Sequence, residues 1–278
     1  MRKVIIAVAP VGPAALGESV ENPLRPEEIA EQVVSCALAG ASMVHLHVRD
    51  ACGEPTGDLA NLGQTLDRIR AESDIIIQGS TGGVSTLSLE ERCAALGESR
   101  VEVASLNMGS VNMDDGVYAN ALPDIRYWAT RMREARVRPE LEVFEGGMIH
   151  NALLLSKEGY LDPPHAFGLA LGFRGALPAT PDSLFFLHSL LPADAAWGLV
   201  HHGMHDLSLL AMAAGMGAAV LRVGFEDSVY HAPERVAQTN TELVCRLVDL
   251  VEAMGLAVAS ASEARNMLGI DHTGEPER

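Results

Sequence analysis

Val44-His45-Leu46-His47-Val48-Arg49-Asp50 reads as a β-strand that runs out into a polar turn. His45 and His47 fall on one face and Leu46 and Val48 on the other, because side chains alternate along a strand with period two. The same kind of short apolar run recurs along the chain, at 3–10, 42–49, 74–80, 101–107, 139–145, 165–172, 196–202 and 218–226. Helical patterns fill the intervals, near 26–39, 61–72, 88–96, 120–136, 147–157, 181–191, 205–216 and 233–254, with a short helix predicted over 261–268. Eight strand–helix units in strict alternation predict an α/β fold, a (β/α)8 TIM barrel, as one domain over 1–270 with a polar tail at 271–278. An open doubly wound sheet would favour a Gly-x-Gly-x-x-Gly turn after the first strand, and Pro10-Val11-Gly12-Pro13 does not match it.

Local signals support the boundaries. Arg25-Pro26-Glu27-Glu28 and Thr180-Pro181-Asp182 place Pro and acids in a first helical turn. Gly40 and Gly255 stand where helices should stop.

Composition narrows the function. Net charge is −17, which argues against nucleic acid as a partner. No run approaches the roughly 18 apolar residues that span a bilayer. Pro10 interrupts the only segment with a signal-peptide charge order, so a cytoplasmic protein is expected. Cys36, Cys52, Cys93 and Cys245 form no CxxC pair and read as reduced thiols. The only lysines are Lys3 and Lys157, neither placed as a buried imine-forming amine. Carbon–carbon bond chemistry in this chain therefore calls for a metal.

In such a barrel the active site lies at the C-terminal ends of the strands. His45 and His47 sit there on one face, spaced to grip a single metal. On the predicted eighth strand Arg222, Gly224 and Glu226 share a face. The first strand lies between the second and the eighth, so Glu226 can complete a His2Glu set for zinc or another divalent metal, with a position left open. Arg222 needs an anionic partner, with Asp227 and Glu142 as candidates. It tunes Asp227 as a base, binds a substrate carboxylate, or forms an architectural ion pair. Gln78-Gly79-Ser80-Thr81-Gly82-Gly83 offers backbone N–H groups as an anion nest. Ser105 and Asn107 face inward at the end of the fourth strand and suit an oxyanion. Glu142 and Glu145 are expected to orient a metal-bound histidine. His201, His202 and His205 follow the seventh strand and are candidates for substrate contact.

In order along the chain, Asn22-Pro23, Pro26-Glu27-Glu28-Ile29-Ala30, His45 through Asp50, Ser80-Thr81-Gly82-Gly83, Glu142-Val143-Phe144, Pro178-Ala179-Thr180-Pro181 and Arg222 through Asp227 resemble the β-keto acid cleavage enzymes. The resemblance implies a zinc barrel, commonly a homotetramer, that converts a β-keto acid and acetyl-CoA into acetoacetate and an acyl-CoA. It places metal ligands at His45, His47 and Glu226, the conserved Arg and Asp at Arg222 and Asp227, and active-site hydroxyls at Ser80 and Ser105. Asp227 is then the base that takes a proton from acetyl-CoA or from a metal-bound group, and the carbanion attacks the keto carbon. Members that take amino-acid substrates carry a Glu after the first strand, whereas Ala9-Pro10-Val11-Gly12-Pro13-Ala14-Ala15 has no acid before Glu18. An uncharged or anionic substrate side chain is expected instead. Arg174 is a candidate partner for a substrate carboxylate or a CoA phosphate, or a residue that sits in solvent. The competing readings are a metal-dependent hydrolase, a metal-dependent aldolase and a barrel used only for binding.

Overall fold

The computed structural model describes residues 1–13, 16, 20–82 and 86–270. Eight parallel strands close on themselves: β1 (Lys3–Val8), β2 (Met43–Leu46), β3 (Ile76–Gly79), β4 (Val103–Asn107), β5 (Arg138–Val143), β6 (Ala166–Leu171), β7 (Ala196–His201) and β8 (Val220–Val223). Each pairs with the next in sequence, and β8 returns to β1 with Ile5 beside Val220 and Val8 beside Val223. Around them run α1 (Pro26–Leu38), α2 (Ala60–Glu72), α3 (Leu89–Arg92), α4 (Leu122–Ala135), α5 (Gly146–Lys157), α6 (Pro181–Leu190), α7 (Ser208–Met216), α8 (Asn240–Ala253) and α9 (Ala261–Leu268). The fold is the predicted (β/α)8 barrel.

Alternation sorts the core into two layers. Ile6, Val44, Ile77, Leu106, Leu141, Leu169 and Leu221 point outward and pack with helical residues such as Leu66, Trp128, Leu184 and Leu247. Ile5, Met43, Ile76, Val103 and Val220 fill the base of the interior, closed from below by Ala264 and Leu268 of α9. Arg265 of α9 fastens this plug through Asp74 at 2.8 Å and Glu102 at 2.5 Å. The polar interior positions therefore lie above a dry floor, toward the strands' C-terminal ends.

Several expected boundaries shift. The strand expected over 42–49 ends at Leu46, opposite the end of β3 at Gly79 and two residues past the last pairing with β1, so His47 stands in the following loop. The strand expected over 218–226 stops at Val223, because Gly224 takes φ +143° and turns the chain. The helix expected over 233–254 begins only at Asn240, under a Thr239 cap that accepts from the Glu242 N–H. Before it lies a hairpin, Tyr230–Ala232 with Arg235–Val236. A second unexpected hairpin, Val111–Met113 with Gly116–Tyr118, follows β4. The helix expected over 88–96 is one α-turn followed by a 3-10 turn, Ala94–Gly97. No described helix is long and apolar enough to cross a membrane.

Candidate active site

His45, His47 and Glu226 converge at the C-terminal mouth. The two Nε2 atoms are 3.3 Å apart, and Glu226 Oε1 lies 3.8 Å from His45 Nε2 and 3.5 Å from His47 Nε2. Donors about 2.0–2.1 Å from a tetrahedral zinc stand roughly 3.3 Å from one another, so the histidine pair already has that spacing and Glu226 needs only a small adjustment. Among the described residues, these three form the group of His, Cys, Asp and Glu side chains able to hold a metal.

The protonation states agree with that use. Burial pulls His45 down to about 3, so its ring is neutral. Its Nδ1 lies 2.8 Å from Gln78 Oε1. An amide oxygen only accepts, so the proton sits on Nδ1 and the Nε2 lone pair faces His47 and Glu226. Burial alone would raise Glu226, but Arg222 and the two imidazoles outweigh it and hold the carboxylate well below its usual range.

Gly224 makes this corner possible. A Cβ at Gly224 would stand 2.1 Å from the Ala9 carbonyl oxygen. Without one, Ala9 N donates to Val223 O at 2.9 Å, and Glu226 N to Ala9 O at 3.2 Å. The chain then folds back so that buried Arg222 donates to both Asp227 oxygens at 2.7 Å and to Glu226 Oε1 at 3.0 Å. Glu226 thus reaches His45 and His47 from a turn, not from the strand face the alternation predicts. Burial raises Asp227 above the usual aspartate range, with Arg222 pulling against it.

The other expected residues line the same mouth. Thr81 N donates to Ser105 Oγ at 3.3 Å, and Thr81 Oγ1 to Ser105 O at 2.5 Å. Ser80 Oγ accepts from Gly82 N at 3.1 Å. Gly83 lies outside the described residues, as do Ala14, Ala15, Glu18 and the tail 271–278. Asn107 Nδ2 donates to Glu142 Oε2 at 3.0 Å and to Tyr118 Oη at 3.1 Å. Burial pushes Glu142 up to about 8.

One expectation is corrected. Glu142 bonds to Asn107, and Glu145 accepts from the Leu177 backbone, so neither orients the metal-site imidazole. Gln78 takes that place. Arg174 pairs with Asp115 at 2.5 Å on the exposed surface. His201, His202 and His205 stay outside the donor cluster. His202 stacks on Phe173 with centroids 4.4 Å apart, and His205 packs against Tyr230. Sequence reading missed Gln78, Glu140 and Tyr118. Alternation from Ser80 and Glu142 marks Gln78 and Glu140 as inward polar residues, but Tyr118 arrives on a hairpin without an advance signal.

Comparison with known proteins identifies the family. The model of the beta-keto acid cleavage enzyme family matches residues 3–270. A 3-keto-5-aminohexanoate cleavage enzyme of Acetoanaerobium sticklandii is 38% identical over 97% of this chain and 99% of its own. A 3-oxoadipate:acetyl-CoA acetyltransferase of Cupriavidus necator is 34% identical over 96% of this chain and 94% of its own. Among solved structures, a ternary complex of ObcA with a C4-CoA adduct and oxalate superposes with a TM-score of 0.73 at 22% identity, covering 89% of this chain and 67% of that one. A family match over nearly every described residue, joined to relatives this similar across their whole length, makes the chain a member of the β-keto acid cleavage enzyme family.

Proposed function

We propose that this protein cleaves a β-keto acid with acetyl-CoA, giving acetoacetate and an acyl-CoA, with a divalent metal, zinc by its donor set, on His45, His47 and Glu226. The observation that carries this reading is the meeting of that donor set with the Arg222–Asp227 pair at one barrel mouth, in a chain of this family. A metal bound there supplies a Lewis acid for the substrate's keto oxygen.

Atom balance decides which carbon attacks. If a carbanion of acetyl-CoA added to the keto carbon, cleavage would release acetate and leave a β-ketoacyl-CoA. Acetoacetate forms only when the methylene between the keto and carboxylate groups attacks the acetyl thioester carbonyl. The CoA thiolate so released then attacks the original keto carbon, and retro-Claisen cleavage gives the acyl-CoA. Asp227 is the base for that methylene proton, its raised proton affinity suiting the task. Arg222 orients it through two hydrogen bonds. Ser80, Ser105, Thr81, Gly82, Asn107 and Glu142 are assigned to substrate oxygens around the mouth, and Gly83 is assigned with them from its sequence motif alone. Ala9, Pro10 and Val11 after β1 are buried and carry no acid, which favours an uncharged or anionic substrate side chain over an ammonium. The 3-oxoadipate relative supports the same direction. The exposed Phe185, Phe186 and Leu190 of α6, beside exposed Leu153 of α5, are consistent with homo-oligomer assembly.

The test is to incubate metal-loaded protein with acetyl-CoA and cationic, neutral and anionic β-keto acids, following acyl-CoA products by mass spectrometry. His45→Ala and Glu226→Gln serve as controls. Acyl exchange that needs both metal and acetyl-CoA supports the proposal. Turnover of an ester, an amide or an aldol without CoA would instead select the hydrolase or aldolase reading. Absence of any turnover and of any bound metal would leave a binding barrel.

A further inference from the structure

Below the donor cluster, Gln78 reaches two elements. Its Oε1 meets His45 Nδ1 at 2.8 Å, and its Nε2 donates to Glu140 Oε2. All three residues are buried, at 3%, 1% and 9% exposure, so each side chain depends chiefly on its protein partner. The line crosses the interior from β2 to β3 to β5, passing over β4. Gly168 of β6 leaves the room Glu140 occupies: a Cβ there would stand 3.3 Å from the Glu140 carboxyl.

An amide can present either end to an imidazole. With its oxygen toward Nδ1, the ring carries its proton on Nδ1 and offers a lone pair at Nε2. With its nitrogen toward Nδ1, the proton moves to Nε2 and the ring cannot ligate there. His45 alone therefore does not decide its own tautomer, and Gln78 alone does not decide its own orientation. The group on the far side of Gln78 decides both.

We infer that Glu140 is a positioning residue for the metal site: by accepting from Gln78 Nε2 it turns the Gln78 oxygen toward His45 and fixes the Nδ1–H tautomer that leaves Nε2 free for the metal. Turned around, Gln78 Nε2 would donate to a deprotonated His45 Nδ1, but its oxygen would stand against the Glu140 carboxylate, losing that bond and opposing two acceptors in a buried site, where an unmet polar group is costly. The inference rests on the proposed metal site, but its first effect exists before any metal binds.

The experiment uses the full-length protein, first metal-free, with 15N-labelled histidine. Long-range 1H–15N correlations report the tautomer of His45, and circular dichroism reports folding. Wild type should show the Nδ1–H form. Glu140→Gln, nearly the same shape, can donate as well as accept, and should give a mixture of tautomers. Zinc affinity, from competition with a chromophoric chelator, should then fall about 10–100-fold, the scale typical of groups that orient a metal-bound histidine. The exchanged pair Gln78→Glu/Glu140→Gln should restore both readings, because Glu at 78 accepts from His45 while Gln at 140 donates to it. A pure Nδ1–H signal with unchanged zinc affinity in folded Glu140→Gln would overturn the inference. So would an exchanged pair that folds but stays as impaired as the single variant. If wild type keeps the tautomer yet binds no divalent metal, the metal reading fails and the relay stands.

Discussion

Arg222 and Asp227 meet as a buried fork, Nε to Oδ2 and Nη2 to Oδ1, both at 2.7 Å. They stand five positions apart in sequence, and only the turn at Gly224 brings them face to face. Arg222 also holds Glu226 at 3.0 Å, so one guanidinium fixes both the proposed base and a proposed metal ligand. Arg222→Ala strands the buried Asp227 carboxylate and takes the cation from part-exposed Glu226, and should cost about 3–5 kcal/mol of stability, read as a fall in denaturation midpoint. Asp227→Asn keeps the shape but removes the base, so kcat should drop at least about 100-fold with a far smaller stability change. Equal activity in Asp227→Asn would remove Asp227 from the chemistry.

Metal should be visible as stability. Zinc at about 100 times its dissociation constant adds roughly 2.7 kcal/mol to a protein that binds it only when folded. For a chain of this size that is a rise in Tm of roughly 5–10 °C, reversed by a chelator. His45→Ala, His47→Ala and Glu226→Gln should each lose most of the rise. A zinc-dependent Tm that survives all three substitutions would put the ion elsewhere.

Much of this arrangement is legible from sequence because two periodicities dominate the fold. The outward face of Val44, Leu46 and Ile77 and the inward face of His45 and Gln78 follow from alternation alone. So does the placement of Ser105 and Asn107 at the barrel mouth. Glu226 was reached for an incomplete reason: it shares a register parity with Arg222, but it arrives from a turn that alternation cannot describe. The role expected of Glu142 and Glu145 passed to Gln78 because side-chain hydrogen bonds depend on distances across the barrel, and sequence spacing does not encode them. The hairpin that carries Tyr118 had no amphipathic pattern to mark it. Thr239 and Glu242 mark the start of α8, but Pro233-Glu234 just before them offers a competing first-turn signal.

Glu142 should give metal-free protein a distinctive pH dependence. Burial raises its carboxyl from 4.5 to about 8. Below pH 4.5 folded and unfolded chains both carry the proton, and the group adds no slope. Between about 4.5 and 8 the folded protein keeps a proton that the unfolded chain releases, so stability falls as pH rises. Above 8 the folded state must ionise in a buried setting and the loss is complete, on the order of a few kcal/mol. Glu142→Gln still accepts from Asn107 and has nothing to ionise. Between pH 5.5 and 8.5 its Tm should therefore fall less than that of wild type, by roughly 5 °C. Parallel curves for the two proteins would show that Glu142 ionises normally.

Gly224 offers the sharpest structural test. Its φ of +143° lies where side chains are strained, and an added Cβ would stand 2.1 Å from the Ala9 carbonyl oxygen. That oxygen cannot simply retreat, because it accepts from Glu226 N and because Ala9 N donates to Val223 O. Gly224→Ala must therefore push β1 and the 224–227 turn apart, beyond the about 1–3 kcal/mol that backbone strain alone costs. The displaced residues are the ones that carry Glu226 and Asp227. Tm and zinc affinity should fall together, the affinity by at least about tenfold, while the histidine pair on the β2 side keeps its place. If zinc affinity held while Tm fell, Glu226 would be positioned by Arg222 alone and the close approach of Ala9 would serve only the barrel seam.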